Sequence, residues 1–279
     1  ASKEINAVSI IFRAILSKEF WSSEIIYIHQ FNILAWLLIL ICRWRNVKIF
    51  CKIANTGIKF DLKIFFDRYS ILRFTTKLLQ AKKIKFLILS PCARKEFKQY
   101  GVSDSQIVNF RNGVVVKREF GGRRPSTNKV LFVGRIEPVK RVDLILKLAA
   151  RLDFFQFDCY GGGSLMPEML SKVNSMKLTN VKFHGEVPNR DIPYEKYDWL
   201  ILPSITEGMS NAVLEGIAAS VGIVARDIMA NEFIGTLTNK YYLFREEQLN
   251  DVVLHLTKCK KSGKPKQIFE DYNIRSVVK

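Results

Sequence analysis

Residues 197–220 read YDWLILPSITEGMSNAVLEGIAAS, and this stretch decides how the chain folds. Trp199–Leu202 is a short apolar run stopped by Pro203, which predicts a buried strand. A polar loop follows, and Ser210 or Asn211 is placed to cap a helix over 210–219. The loop and helix carry two carboxylates eight residues apart, Glu207 and Glu215. A strand, a loop and a capped helix in that order make one unit of a parallel α/β sheet, and ligands bind such sheets at the carboxyl ends of their strands.

The same alternation extends on both sides. Towards the amino terminus the reading gives strands at Val130–Val133, Phe155–Tyr160 and Val181–His184, with helices over 139–152 and 164–176 and a short one over 191–196. Beyond it come a strand at Gly222–Ala225 and helices over 246–260 and 266–277. Residues 235–265 say little more than that a basic helix lies near Lys258–Lys266. The polar run Gly121–Asn128 is the best linker. Before it stand a helix over 4–20, a strand Ile25–His29, a helix 31–43, a strand Val47–Ile53, a helical region 61–81, a strand Lys85–Leu89, a helix 92–100, and a strand Gln106–Phe110 with an Asn112-Gly113 turn. The expected domains are 1–122, a linker 123–128, 129–264, and a helix at 265–279 packing back towards the first domain.

Composition narrows the class. The chain has 279 residues, 48% hydrophobic and 25% charged, enough for about two domains and unlike a disordered or fibrous sequence. Its five Cys form no C-x-x-C pair, and none of its three His is spaced as a metal ligand, which argues against a disulfide scaffold and a zinc site. The net charge is +18. Through residue 128 there are 23 Lys/Arg against 8 Asp/Glu, and after it 21 against 18. The basic first half suits an anionic surface. Nucleic acid is disfavoured, because the cations are spread over several elements without a recognition motif. Phe31–Cys42 is twelve residues of mostly apolar chain, too short to span a bilayer at ~20 residues. It reads as a helix buried on a sheet in preference to one lying in a membrane interface, although Arg43-Trp44-Arg45 suits lipid headgroups.

Four loops after strands carry candidate chemistry. Gly134–Arg141 places Arg135 at a strand tip and Lys140 at the opening of the next helix, two cations able to clamp a pyrophosphate. Gly161-Gly162-Gly163 reads as a turn that lets backbone approach a ligand, and Met166 stands where a glycine fingerprint needs its third glycine. Gly185 ends a strand and offers bare backbone to a base edge, with Glu186 beside it, whereas His184 reads as structural. The fourth loop is the Glu207–Glu215 segment, whose amides from Gly208 to Ala212 point out of a helix start.

Taken in order, VLFVGRIEPVKRVDLIL, FDCYGGGS, NVKFHGEV, YDWLILPSITEGMSNAVLEGIAAS and GIVARDI resemble the nucleotide-sugar-binding domain of the retaining family-four glycosyltransferases, which have the GT-B fold. The pair Glu207 and Glu215 matches the family's E-x7-E signature. The likeness covers Lys129 to about Ile234 and extends weakly into IIYIHQF, KFLILSPCARKEFKQYGV and RNGV. It implies two Rossmann-like α/β domains with parallel sheets, the first without its opening strand–helix units. It also implies a hexosyltransferase that moves sugar from a nucleotide diphosphate to a saccharide or lipid-linked acceptor with retained configuration, in cell-surface polysaccharide synthesis. No metal is implied. A nucleotide sugar, UDP-sugar foremost, is the co-substrate, and an anionic membrane surface is a candidate partner. The expected location is cytoplasmic, or peripheral on the inner face of the cytoplasmic membrane.

Carried over by position, Arg135, Lys140 and Glu207 are the catalytic set. Arg135 and Lys140 hold the diphosphate, Glu207 touches the donor sugar and Glu215 the ribose. Gly134, Gly163, Gly185, Glu186, Gly208, Met209, Ser210, Asn211 and Ala212 complete the donor site. The chain departs from the family at Ser220 and Gly222, where Gly and Pro are usual, and at Ala54-Asn55-Thr56-Gly57, where a His is common. That loop then supplies no candidate base. The alternative reading is a degenerate relative that binds a nucleotide sugar without turnover.

Overall fold

A computed structural model describes residues 16–53, 55–57, 60–110 and 128–258. The chain divides into two compact units, residues 1–110 and 111–279. The 111–114 turn, the linker save Asn128, Ala54 and the helix at 266–277 lie outside the described residues, as does most of the helix expected over 4–20.

The first unit holds β1 (Ile25–Ile28), α1 (Ile33–Ile41), β2 (Lys48–Ile53), α2 (Asp61–Arg68), β3 (Ile84–Ile88) and β4 (Ile107–Asn109). Its four strands are parallel in the order β1-β2-β3-β4. Right-handed crossovers that always step the same way put their connecting segments on one face. The side chains agree. Ile28, Cys51, Phe86 and Ile107 stand in register and face one buried core with Ala35 and Ile39 of α1 and Leu62, Phe65 and Phe66 of α2. Ile25 and Tyr27 point the other way and are 57% and 51% exposed. α1 starts where the Asn32 side chain accepts from the Ala35 amide at 3.1 Å.

The second unit holds β5 (Lys129–Val133), α3 (Val142–Ala149), β6 (Gln156–Tyr160), α4 (Met166–Ser175), β7 (Val181–Gly185), β8 (Trp199–Leu202), α5 (Asn211–Ala218), β9 (Gly222–Arg226), β10 (Tyr241–Phe244) and α6 (Leu249–Lys258). All pairings are parallel and the order is β10-β9-β8-β5-β6-β7. The order reverses between β5 and β8. That reversal opens a crevice at the carboxyl ends of those two strands.

Several elements differ from expectation for local reasons. The helix over 139–152 is shortened to Val142–Ala149, because Arg141 adopts φ 50° after a 3-10 turn at Pro138–Lys140. Lys140 therefore sits in that turn and does not open the helix. In place of the short helix over 191–196 stand two 3-10 turns, Asn189–Asp191 and Tyr194–Lys196, each directly after a proline (Pro188, Pro193) that cannot donate to a continuing helix. The helical region 61–81 becomes α2 followed by 3-10 turns over Ser70–Gln80. Tyr69 leaves helical angles, and the Thr75 hydroxyl donates three residues back to Leu72 O. Pro91–Tyr100 is likewise 3-10 and ends at Gly101 with φ 67°. Of the first expected helix, one turn, Lys18–Ser22, is described. β10 was not anticipated.

Candidate functional site

The crevice brings the loop after β5 against the loop after β8. Ile205 N–H donates to Val139 O at 2.9 Å. Across that backbone bond Lys140 Nζ meets Glu207 Oε1 at 2.5 Å, with the two side chains only 17% and 11% exposed. Two expected catalytic residues are thus paired in a largely dry setting, where a charge-assisted hydrogen bond is strong. Arg135, on the same loop, is exposed at the strand tip. Its charge contributes to lowering the Glu137 carboxylate below its usual range, chiefly the work of the Ser164 amide at 3.0 Å and hydroxyl at 2.7 Å.

The glycine run makes a close approach within the protein. At Gly161 (φ 133°) an added Cβ would lie 2.0 Å from Gly134 O, and at Gly163 (φ 152°) 2.5 Å from Ile136 O. Ile136 N–H donates to Gly162 O at 2.7 Å, and Leu165 N–H to Ile136 O at 3.0 Å. These glycines let the β6 loop lie flat on the β5 loop, so the backbone they approach belongs to the protein itself. Gly185 turns with φ 73°, and its carbonyl accepts from Gly161 N–H. Glu186 is exposed.

In the β8 loop Gly208, Met209 and Ala212 are buried and Asn211 is exposed. Ser210 occupies the N-cap of α5 in extended geometry, but its side chain makes no capping bond. Ser204, fully buried just after β8, has a hydroxyl with no hydrogen-bond partner among the described residues. Glu215, one turn into α5, accepts from the Tyr194 hydroxyl at 2.7 Å and from Asn189 Nδ2. Burial, reinforced by Glu215, pushes the Tyr194 hydroxyl far above its ordinary range. Sequence reasoning missed the Tyr194 and Asn189 contacts with Glu215, since the 188–194 segment carries no motif. His184, read from sequence as structural, has two neighbours. It stacks on Tyr160 at 4.3 Å, and its Nε2 lies 2.8 Å from Asp158 Oδ1.

Next to Lys140, Arg141 was also missed. It bonds Asp143 and Glu246, and Glu246 also takes Arg226 at 3.0 Å. The Arg141 and Arg226 guanidiniums hold the Glu246 carboxyl well down, to about 2. This network ties the ends of β9 and β10 to the start of α3. Among the described residues no group of three or more His, Cys, Asp or Glu is arranged to hold a metal ion, and no helix is long and apolar enough to cross a membrane.

Residues 127–259 match the family profile described as glycosyl transferases group 1. An O-antigen biosynthesis glycosyltransferase of Escherichia coli, WbnH, is 29% identical over 135 residues, covering 48% of this chain and 39% of that protein. A Campylobacter jejuni N-acetyl-galactosaminyltransferase acting on an undecaprenol-linked glycan is 29% identical over 160 residues, 55% of this chain and 39% of its own. The chain therefore spans well under half the length of these relatives. Among solved structures, a pneumococcal O-GlcNAc transferase, GtfA, in complex with UDP and GlcNAc aligns with TM-score 0.72 at 14% identity, over 96% of this chain and 57% of its own. Anabaena HepE in complex with UDP-glucose aligns at 0.71 and 12% identity, over 91% and 76%. The matched segment coincides with the sheet whose crevice holds Lys140, Glu207 and Glu215: over it the chain resembles the glycosyl transferases of group 1, and its parallel α/β sheets have the GT-B fold of the solved glycosyltransferases.

Proposed function

We propose that the chain is a retaining hexosyltransferase that takes a sugar from a nucleotide diphosphate, UDP foremost, to a saccharide or lipid-linked acceptor of a surface polysaccharide. The observation that carries this reading is the Lys140–Glu207 pair at the point where the strand order reverses. A diphosphate needs cations to spread its charge as the sugar departs. Lys140, already desolvated, supplies one, and the exposed Arg135 supplies a second. Glu207, paired with Lys140 on the β8 loop, is the carboxylate placed to accept from sugar hydroxyls. Glu215, held by Tyr194 and Asn189, is the carboxylate placed to accept from a ribose diol. The uncapped first turn of α5 presents amides and a positive dipole end to the phosphates. In the transfer the bond from the anomeric carbon to the leaving phosphate breaks, a bond to the acceptor oxygen forms on the same face, and the acceptor proton leaves with the diphosphate. The relatives named for O-antigen synthesis and for an undecaprenol-linked glycan support the acceptor class.

The test is thermal unfolding with UDP, GDP and ADP in parallel on the chain and on Arg135→Ala and Glu215→Ala. A ligand at about 100 times its Kd adds ~2.7 kcal/mol to the native state. The expected result is a shift with UDP that both substitutions abolish, followed by release of UDP from UDP-sugar in the presence of acceptor. A shift without any turnover over a panel of acceptors assigns the chain to binding alone. No shift with any nucleotide overturns the reading.

A further inference from the structure

The amino ends of β1, β2 and β3 carry an arrangement that donor binding does not use. Just past α1, a 3-10 turn at Cys42–Trp44 turns Trp44 outward, and it is 85% exposed. The Arg43 guanidinium lies 4.9 Å from its ring centre. Alongside, Trp21 is 52% exposed. Arg45 fixes the two segments together. Its guanidinium lies over the rings of Phe20 and Trp21 at 4.8 and 5.1 Å and donates to Trp21 O at 2.8 Å. Strand pairing brings Lys48 and the Lys82–Lys83 turn to the same edge: Lys48 N–H donates to Glu24 O and Ile49 N–H to Lys83 O. Lys18, Arg43, Lys48 and Lys82 are exposed there against Glu19 and Glu24.

The end of α1 would ordinarily repel anions, because its last carbonyls carry partial negative charge. Lys83 Nζ removes that obstacle by donating to Cys42 O, Arg43 O and Arg45 O at 2.6, 2.9 and 2.7 Å. Any anion approaching this end meets cations and indole rings before it meets carbonyls. α1 buries Ala35, Trp36 and Ile39 in the core and leaves Leu40 on its outer side 37% exposed.

We propose that this edge, with Trp44 and Trp21 as interfacial anchors and Arg43, Lys48 and Lys82 as headgroup contacts, docks the chain on a bilayer rich in anionic phospholipid. Amphipathic indoles sit at the headgroup level, and clustered cations add attraction that falls with salt. A water-soluble partner would need neither the exposed indoles beside guanidinium nor so one-sided a charge. The proposal stands apart from the transferase reading, because its test contains no substrate.

The test is co-sedimentation of the full chain with vesicles of phosphatidylglycerol and phosphatidylcholine, and with phosphatidylcholine alone, at rising salt. Expected is partition onto the anionic vesicles only, weakening with salt. Arg43→Glu/Lys48→Glu/Lys82→Glu lowers it on the order of a hundredfold. Trp44→Ala lowers it about tenfold, with the unfolding midpoint unchanged. Trp44→Phe keeps the partition but reduces quenching of tryptophan fluorescence by brominated lipid, which separates contact from folding. Equal partition on neutral vesicles, no binding to either, or binding indifferent to both variants overturns the proposal. So does concentration-dependent burial of Trp44 without vesicles, which would mean that a second copy covers the edge.

Discussion

The two units use the same parts to different ends. Each is a parallel sheet with a separate core, one drawn from residues 28–107 and the other from 130–256. In the first, four strands step steadily in one direction. In the second, six strands reverse between β5 and β8. A reversal sets two neighbouring loops at the carboxyl edge, where open α/β sheets bind ligands, and here those loops are joined by the Ile205–Val139 backbone bond. The paired Lys140 and Glu207 stand at that point, whereas the first unit's exposed chemistry gathers at the opposite, amino edge. Topology thus separates a crevice suited to a small anionic ligand from an edge suited to an extended anionic surface.

The sharpest way to break this comparison is to unfold one unit and question the other. Phe86 is fully buried in β3 and packs on Phe97 with ring centres 5.0 Å apart. Phe86→Ala should cost about 3–5 kcal/mol. If the cores are independent, calorimetry will show the first unit's transition lost while the second still shifts with UDP. Loss of both transitions would show that the division into units is not energetic. Next in size is Gly161→Ala. The new Cβ would press on Gly134 O in a conformation that L-residues avoid, at a cost of at least ~3 kcal/mol. Only the second transition should fall, and nucleotide binding should fall with it. An unchanged second transition would remove the glycine run from the architecture of the crevice.

These residues also show what could be read without a structure. The β5 and β8 loops were legible because strand ends marked by glycine and proline fix where side chains emerge, and because charged residues at such ends need a reason to be there. What escaped was set by contacts remote in sequence. Arg141 lies next to an expected residue, but its partner Glu246 is 105 positions away. Tyr194 and Asn189 reach Glu215 from 3-10 turns after Pro188 and Pro193, where a short helix was read. β10, Tyr241–Phe244, has no polar alternation to announce it and is recognisable only by pairing with β9. The glycines 161–163 were seen, yet their use depends on the neighbouring loop and not on any pattern of their own.

A smaller effect separates the units by pH. Glu246 is held to about 2 by Arg141 and Arg226. A carboxyl lowered on folding stabilises the native state above the ordinary carboxylate range, and that stability fades as pH falls towards 2. Glu246→Gln should remove about 1 kcal/mol at neutral pH, after a discount for a side chain that is 37% exposed, and should flatten the acid limb of the second transition. A variant with the same acid limb as the parent would show that the Arg–Glu network carries no net stability.

The first unit should respond in the opposite sense. Glu96 accepts from Gly57 N–H at 2.9 Å, while its other oxygen is buried with no partner among the described residues. Burial raises this carboxyl to about 7, against the smaller downward pull of the Gly57 amide and of Lys63, and Tyr100 is the other titratable group within its field. Folding therefore favours the protonated form. The contribution is complete below about 4.5, declines as pH rises from there to about 7, and is absent above. Three of the four tryptophans, Trp21, Trp36 and Trp44, lie in this unit, so its unfolding can be followed by fluorescence. The midpoint should fall between pH 4.5 and 7 in the parent relative to Glu96→Gln, which holds a neutral isostere throughout. Parallel pH profiles for the two proteins would mean that the carboxyl is solvated in the native state, and the contrast in sign between the units would then rest on Glu246 alone.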